Sequence, residues 1–178
     1  GTWLNGVVSH IDMFPTLLAA AGNPDITKQL LDGCTVGGKT FKVHLDGYNQ
    51  IPYLTGEVKE SPGKFIMYFS DDGEVMAVRI GDYKLVLAEQ RATSTRVWQE
   101  PLVKLRVPMI YNLRLDPFER ADFNSNVYWD WIVDHIFMLY EMQGVVAGQI
   151  ADFAKFPPRQ KPASFNLDAV LEQVTHHA

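Results

Sequence analysis

Lys64-Phe65-Ile66-Met67-Tyr68-Phe69, Glu74-Val75-Met76-Ala77-Val78-Arg79-Ile80 and Tyr83-Lys84-Leu85-Val86-Leu87-Ala88-Glu89 follow one another with two short breaks. The runs are rich in Val, Ile, Tyr, Phe and Met, side chains that suit a pleated, half-buried surface. The breaks are Ser70-Asp71-Asp72-Gly73 and Gly81-Asp82. Both suit hairpin turns, because Gly and Asp tolerate positive φ. The pattern predicts a three-stranded antiparallel meander. Val107 to Leu113 offers a fourth strand, reached through an excursion over Gln90 to Arg106 that carries Trp98 and Pro101.

On the C-terminal side, Trp129, Ile132, Val133, Ile136, Phe137, Tyr140, Val146, Ile150 and Phe153 recur mostly at three- and four-residue spacing. That predicts one long helix over about 126–155, capped by Asp122, Asn124 or Ser125 and stopped by Pro157-Pro158. A short tail helix is expected over 167–174. A run of strands followed by helix gives an α+β class: a small antiparallel sheet of three to four strands packed with a long C-terminal helix.

On the N-terminal side, Val7, Val8 and Ile11 read as the end of a strand. Asp12 offers a helix cap, Pro15 is tolerated in a first turn, and Gly22 is a stop. The helix between them, Met13 to Ala21, carries an apolar stripe of Met13, Phe14, Leu17, Leu18 and Ala21. Asn23-Pro24-Asp25 opens a second helix, Ile26 to Leu31, closed by Gly33. Residues 35–47 are glycine-rich and irregular, with a strand over Lys39 to His44. Asp46-Gly47 turns the chain, Asn49 to Leu54 reads as a short helix ending at Gly56, and Glu57 to Gly63 is a polar connection.

The bulk numbers bound the class. The chain has 178 residues, 47% hydrophobic, with 16 basic and 21 acidic side chains for a net charge of −5. That length fits one domain or part of a larger one, and a free domain of this size buries about 70% of its unfolded surface. An acidic balance argues against a nucleic-acid groove, which needs basic surface to displace counterions. No apolar run reaches the length of a membrane span. No leader pattern is visible, which leaves secretion open. A single cysteine, Cys34, excludes an intrachain disulfide.

Residue by residue, no complete active site is legible. Cys34 sits in Asp32-Gly33-Cys34-Thr35-Val36-Gly37 without a local base or helix N-terminus to activate it. Asp71-Asp72-Gly73-Glu74 is the densest carboxylate cluster, but its spacing is not that of the twelve-residue calcium loop. It reads as a hairpin turn, or as a loop projecting over a neighbouring active site. His10, His44, His135, His176 and His177 include no i, i+4 pair of the zinc-hydrolase kind. His10 and His44 are candidates to touch a substrate, with a structural hydrogen bond as the plainer role. Asp12 and Asp46 precede helical turns, where capping is favoured over catalysis. Asp116-Pro117-Phe118-Glu119-Arg120 reads as a turn with a charge pair, and Ser9 and Ser70 lack a nucleophile-elbow context.

The order of the segments says more. Ser9-His10-Ile11-Asp12-Met13-Phe14-Pro15-Thr16-Leu17-Leu18, with Ala19-Ala20-Ala21-Gly22 behind it, closely resembles the late region of formylglycine-dependent (type I) sulfatases of the alkaline phosphatase superfamily. Leu45-Asp46-Gly47 and Pro52-Tyr53-Leu54-Thr55-Gly56 resemble the next block. Ala77-Val78-Arg79 and Tyr83-Lys84-Leu85-Val86 resemble the family's C-terminal sheet. Tyr111-Asn112-Leu113, Asp116-Pro117 and Glu119 resemble the block before its last helix. Phe156-Pro157-Pro158-Arg159-Gln160-Lys161-Pro162-Ala163-Ser164-Phe165 is similar to the tail of bacterial arylsulfatases. The resemblance covers nearly the whole chain.

It implies a sulfuric ester hydrolase in which a cysteine of a Cys-x-Pro/Ala-x-Arg motif becomes formylglycine. A calcium or magnesium ion held by Asp and Asn stabilises the sulfate oxygens. Cys34 departs from that motif, being followed by Thr35-Val36-Gly37-Gly38, and the family's acidic metal ligands have no counterpart here. No catalytic, cofactor or metal residue is therefore carried over. The expectation is a C-terminal portion, inactive alone. Residues 1–34 would be the trailing strand and helices of the catalytic domain and 35–178 the C-terminal subdomain, its sheet at about 64–113. His44, Asp71 and Asp72 are the candidate substrate-rim residues. The implied partners are the missing N-terminal catalytic domain and a small sulfate ester. A homodimer through the long helix, a binding module, and a fragment of a related phosphonate or phosphodiester hydrolase are the alternatives. The compartment of such a bacterial protein, periplasmic or cytoplasmic, is left open.

Overall fold

The computed structural model describes residues 1–157, and these divide into two compact units. The expected tail helix, His176 and His177 lie outside the described residues. The class is α+β, and no helix among the described residues is long and apolar enough to cross a membrane.

Unit 1 comprises Gly1–Ile66, Arg79–Lys84 and Asn112–Glu119. Helix α1 spans Met13–Ala20, and Gly22 follows it at φ 95°, a left-handed conformation that costs glycine little. Helix α2 (Ile26–Asp32) buries Ile26 and Leu30 and ends on Gly33. Strands β1 (Cys34–Val36) and β2 (Lys39–Phe41) form an antiparallel hairpin with Cys34 opposite Phe41. The sequence reading missed β1 and ran β2 on to His44. Every β2 side chain is exposed, so no alternation marks the pair, and the turn at Gly37-Gly38 is the surviving signal. Helix α3 (Ile51–Leu54) buries Tyr53.

The strand stub expected at Val7, Val8 and Ile11 is not a strand. Its polar backbone is satisfied by side chains instead of a ladder. Tyr53 Oη accepts the Gly6 N–H at 2.6 Å, and the Ser61 hydroxyl donates to the Val7 carbonyl. A single 3₁₀ turn over His10–Asp12 then leads into α1.

Among the described residues, unit 2 comprises Met67–Val78, Leu85–Tyr111 and residues 120–157. Strands β3 (Phe65–Phe69), β4 (Val75–Ile80), β5 (Tyr83–Glu89) and β6 (Val103–Asn112) form a four-stranded sheet in that order. The expected meander and its fourth strand are both present. Strand β6 starts earlier than expected and runs through Pro108, which an edge strand tolerates because it need not donate on its open side. Ala77, Val78, Leu85, Ala88 and Ile110 are buried on the sheet, with Tyr128, Ile132, Met138 and Met142 buried from the helices.

The single helix expected over 126–155 is two: α5 (Tyr128–Asp134) and α6 (Met138–Lys155), preceded by a short α4 (Ala121–Asn124). The chain tightens at 135–137. The His135 N–H is shared between the Trp131 and Ile132 carbonyls, and Met138 N–H reaches only to His135 O. His135 Nδ1 lies 2.8 Å from Trp131 O, and its ring stacks on Trp131 at 4.2 Å. Periodicity ran across the break because both helices bury residues at helical spacing. Phe153 of α6 meets Phe69 of β3 at 5.6 Å between rings.

Candidate functional site

Asp12 is the centre of the best-built polar arrangement in unit 1. It is 3% exposed, and no cation is among its bonded partners. A buried carboxylate in that position needs several donors. Oδ2 accepts the Ser9 N–H at 2.8 Å and Gln50 Nε2 at 2.9 Å, while Oδ1 accepts the Tyr48 N–H at 2.8 Å. The sequence cast Asp12 as a cap of the following helix, yet its side chain bonds none of that helix's N–H groups. It reaches back to Ser9 and across to the 48–50 segment. With both oxygens engaged and out of water, it cross-links Ser9 to the 48–50 segment.

Thr16 stands one helical turn on, on the same face of α1. Its Oγ1 accepts the Gln50 N–H at 3.0 Å and donates to Tyr48 O at 3.2 Å. Gln50 is 0% exposed, and its Oε1 lies 3.2 Å from Ser61 Oγ. Ser61 carries one hydroxyl proton, so donation to Val7 O leaves the Gln50 contact as the weaker one. Gly47 completes the clamp: a Cβ there would sit 2.0 Å from Ile11 O, so only glycine lets the two backbones meet. Thr16, Gln50 and Ser61 were missed from sequence. A polar residue inside the apolar run Pro15 to Leu18 was the one available signal for Thr16.

This clamp holds the loop that carries His44 and Asp46. His44 Nδ1 lies 3.5 Å from Asp46 Oδ1, with the histidine half-buried and the aspartate exposed. His10 is exposed on the 3₁₀ turn of the same unit. Asp71 and Asp72 belong to unit 2, exposed at the tip of the β3–β4 turn. Ser70 fixes that turn: its Oγ accepts Asp72 N–H at 3.3 Å and Glu74 N–H at 3.1 Å, and its N–H donates to Glu74 O at 2.9 Å. The neighbouring Glu74 carboxylate takes Lys104 Nζ at 2.7 Å.

The remaining candidates have plain roles. Cys34 opens β1, half-buried and without a disulfide. In the Asp116–Arg120 turn, Glu119 adopts φ 53° and both its oxygens meet Lys84 Nζ, at 2.7 and 2.9 Å. That pair, 35 positions apart in the chain, left no local trace in the sequence. In unit 2, Tyr128 Oη donates to Ile110 O at 3.1 Å, and the Tyr111 and Tyr128 rings stack at 5.8 Å. Burial pushes the Tyr111 phenol far above its ordinary range, reinforced by Tyr128 and Asp122 beside it. Among the described residues, no three His, Cys, Asp or Glu side chains converge as a group that could hold a metal ion.

No protein-family model and no curated protein matches the chain. Among solved structures, it is similar to the PsFucS1 sulfatase from Pseudoalteromonas sp., with a TM-score of 0.48 and 20% identity. The match covers 66% of this chain and 22% of that one, so the chain spans less than a quarter of that sulfatase's length.

Proposed function

We propose that the chain is the C-terminal portion of an arylsulfatase-like sulfuric ester hydrolase that packs beside the catalytic domain and is inactive alone. On this reading residues 1–34 trail from that domain and 35–178 form the C-terminal subdomain, with the Asp12 clamp joining the two sides of the boundary. The nucleophile, a formylglycine, and a calcium or magnesium ion belong to the partner domain. The ordered run of sulfatase-like segments supports the family. His44, Asp71 and Asp72 are proposed to stand at the rim of the pocket for the sulfate ester.

One observation carries the scaffold role. Asp12, Pro15 and Thr16 fix one face of α1 inside unit 1, while Ile11, Phe14 and Leu17, at three-residue spacing, are 58%, 52% and 66% exposed. Burying a side chain of this kind is worth about 1.5–3 kcal/mol, so a 3₁₀ turn and helix that together leave three in water suit a covering surface. The missing catalytic domain is the proposed cover. Aryl sulfate turnover by the purified chain in calcium would overturn the inactivity. A Cys-x-Pro/Ala-x-Arg motif upstream in the gene supports the family; its absence moves the reading to a phosphonate or phosphodiester hydrolase.

A second reading has its own observation. Trp129, Val133, Phe137 and Tyr140 are exposed on α5, α6 and the turn between them. That surface suits a subunit interface, and a strictly monomeric chain in sedimentation at rising concentration would count against it.

A further inference from the structure

We draw no further inference here: the strongest candidate, the open cleft of about 420 Å³ in unit 1 between residues 3–7 and 59–64, carries nothing, because Tyr53 and Ser61 on its wall are already bonded to the backbone of Gly6 and Val7, Lys64 is paired with Glu60, and nothing in the structure shows what would fill it.

Discussion

Asp12, Gly47 and Tyr111 are the side-chain positions where one substitution says most. Asp12→Ala strands the part-buried N–H groups of Ser9 and Tyr48 and the buried Gln50 amide. A buried orphaned donor costs about 1–3 kcal/mol and a part-buried one less, so a loss of about 2–3 kcal/mol is expected, read from the urea midpoint. Asp12→Asn is expected to lose stability too, because its amide nitrogen turns an acceptor toward donors into another donor. A wild-type midpoint in either variant would mean that the carboxylate is not the clamp. Gly47→Ala has no room for its methyl against Ile11 O, and a loss of about 1–3 kcal/mol is expected. Tyr111 gives a pH signature. Its folded phenol holds its proton far above the ordinary value of about 10, so unfolding at higher pH releases a proton. Stability through this group is therefore full below about pH 10 and falls as pH rises beyond it. Tyr111→Phe is expected to flatten that alkaline decline in denaturant midpoints; an unchanged slope would contradict the burial argument.

Element by element, the chain shows where sequence carries structure and where it does not. The β3–β5 meander was legible because Gly73 and Gly81 sit at positive φ in turns that the flanking apolar runs demanded. Helices α1 and α2 were legible for the same reason, with Gly22 and Gly33 as stops. The α5–α6 break was not, because a tight turn at His135 preserves the apolar spacing that defined the expected helix. The Asp12 network was illegible beyond Asp12 itself. It closes through Tyr48, Gln50 and Ser61, 36, 38 and up to 54 positions from their partners, and no local pattern encodes such pairings. Helix α1 gives its own test. Phe14→Glu with Leu17→Glu alters exposed positions, so the isolated chain is expected to keep its stability within about 0.5 kcal/mol per site. In the proposed longer protein, the same pair is expected to weaken docking of this region and lower aryl sulfate turnover. Unchanged turnover would remove α1 from the interface.

At the scale of the whole molecule, two compact units each have a core, yet large apolar side chains from Trp3 to Leu17 in unit 1 and from Trp129 to Tyr140 in unit 2 remain in water. On the proposed reading the first of these surfaces meets a catalytic domain. The proposed rim role of His44, Asp71 and Asp72 depends on that proposed domain. The direct test is aryl sulfate hydrolysis in calcium, measured side by side for the 178-residue chain and for the proposed longer protein. Sulfate release by the proposed longer protein, and none by the chain, is the expected result. Metal-dependent turnover by the chain alone, or none by the longer protein, would contradict it.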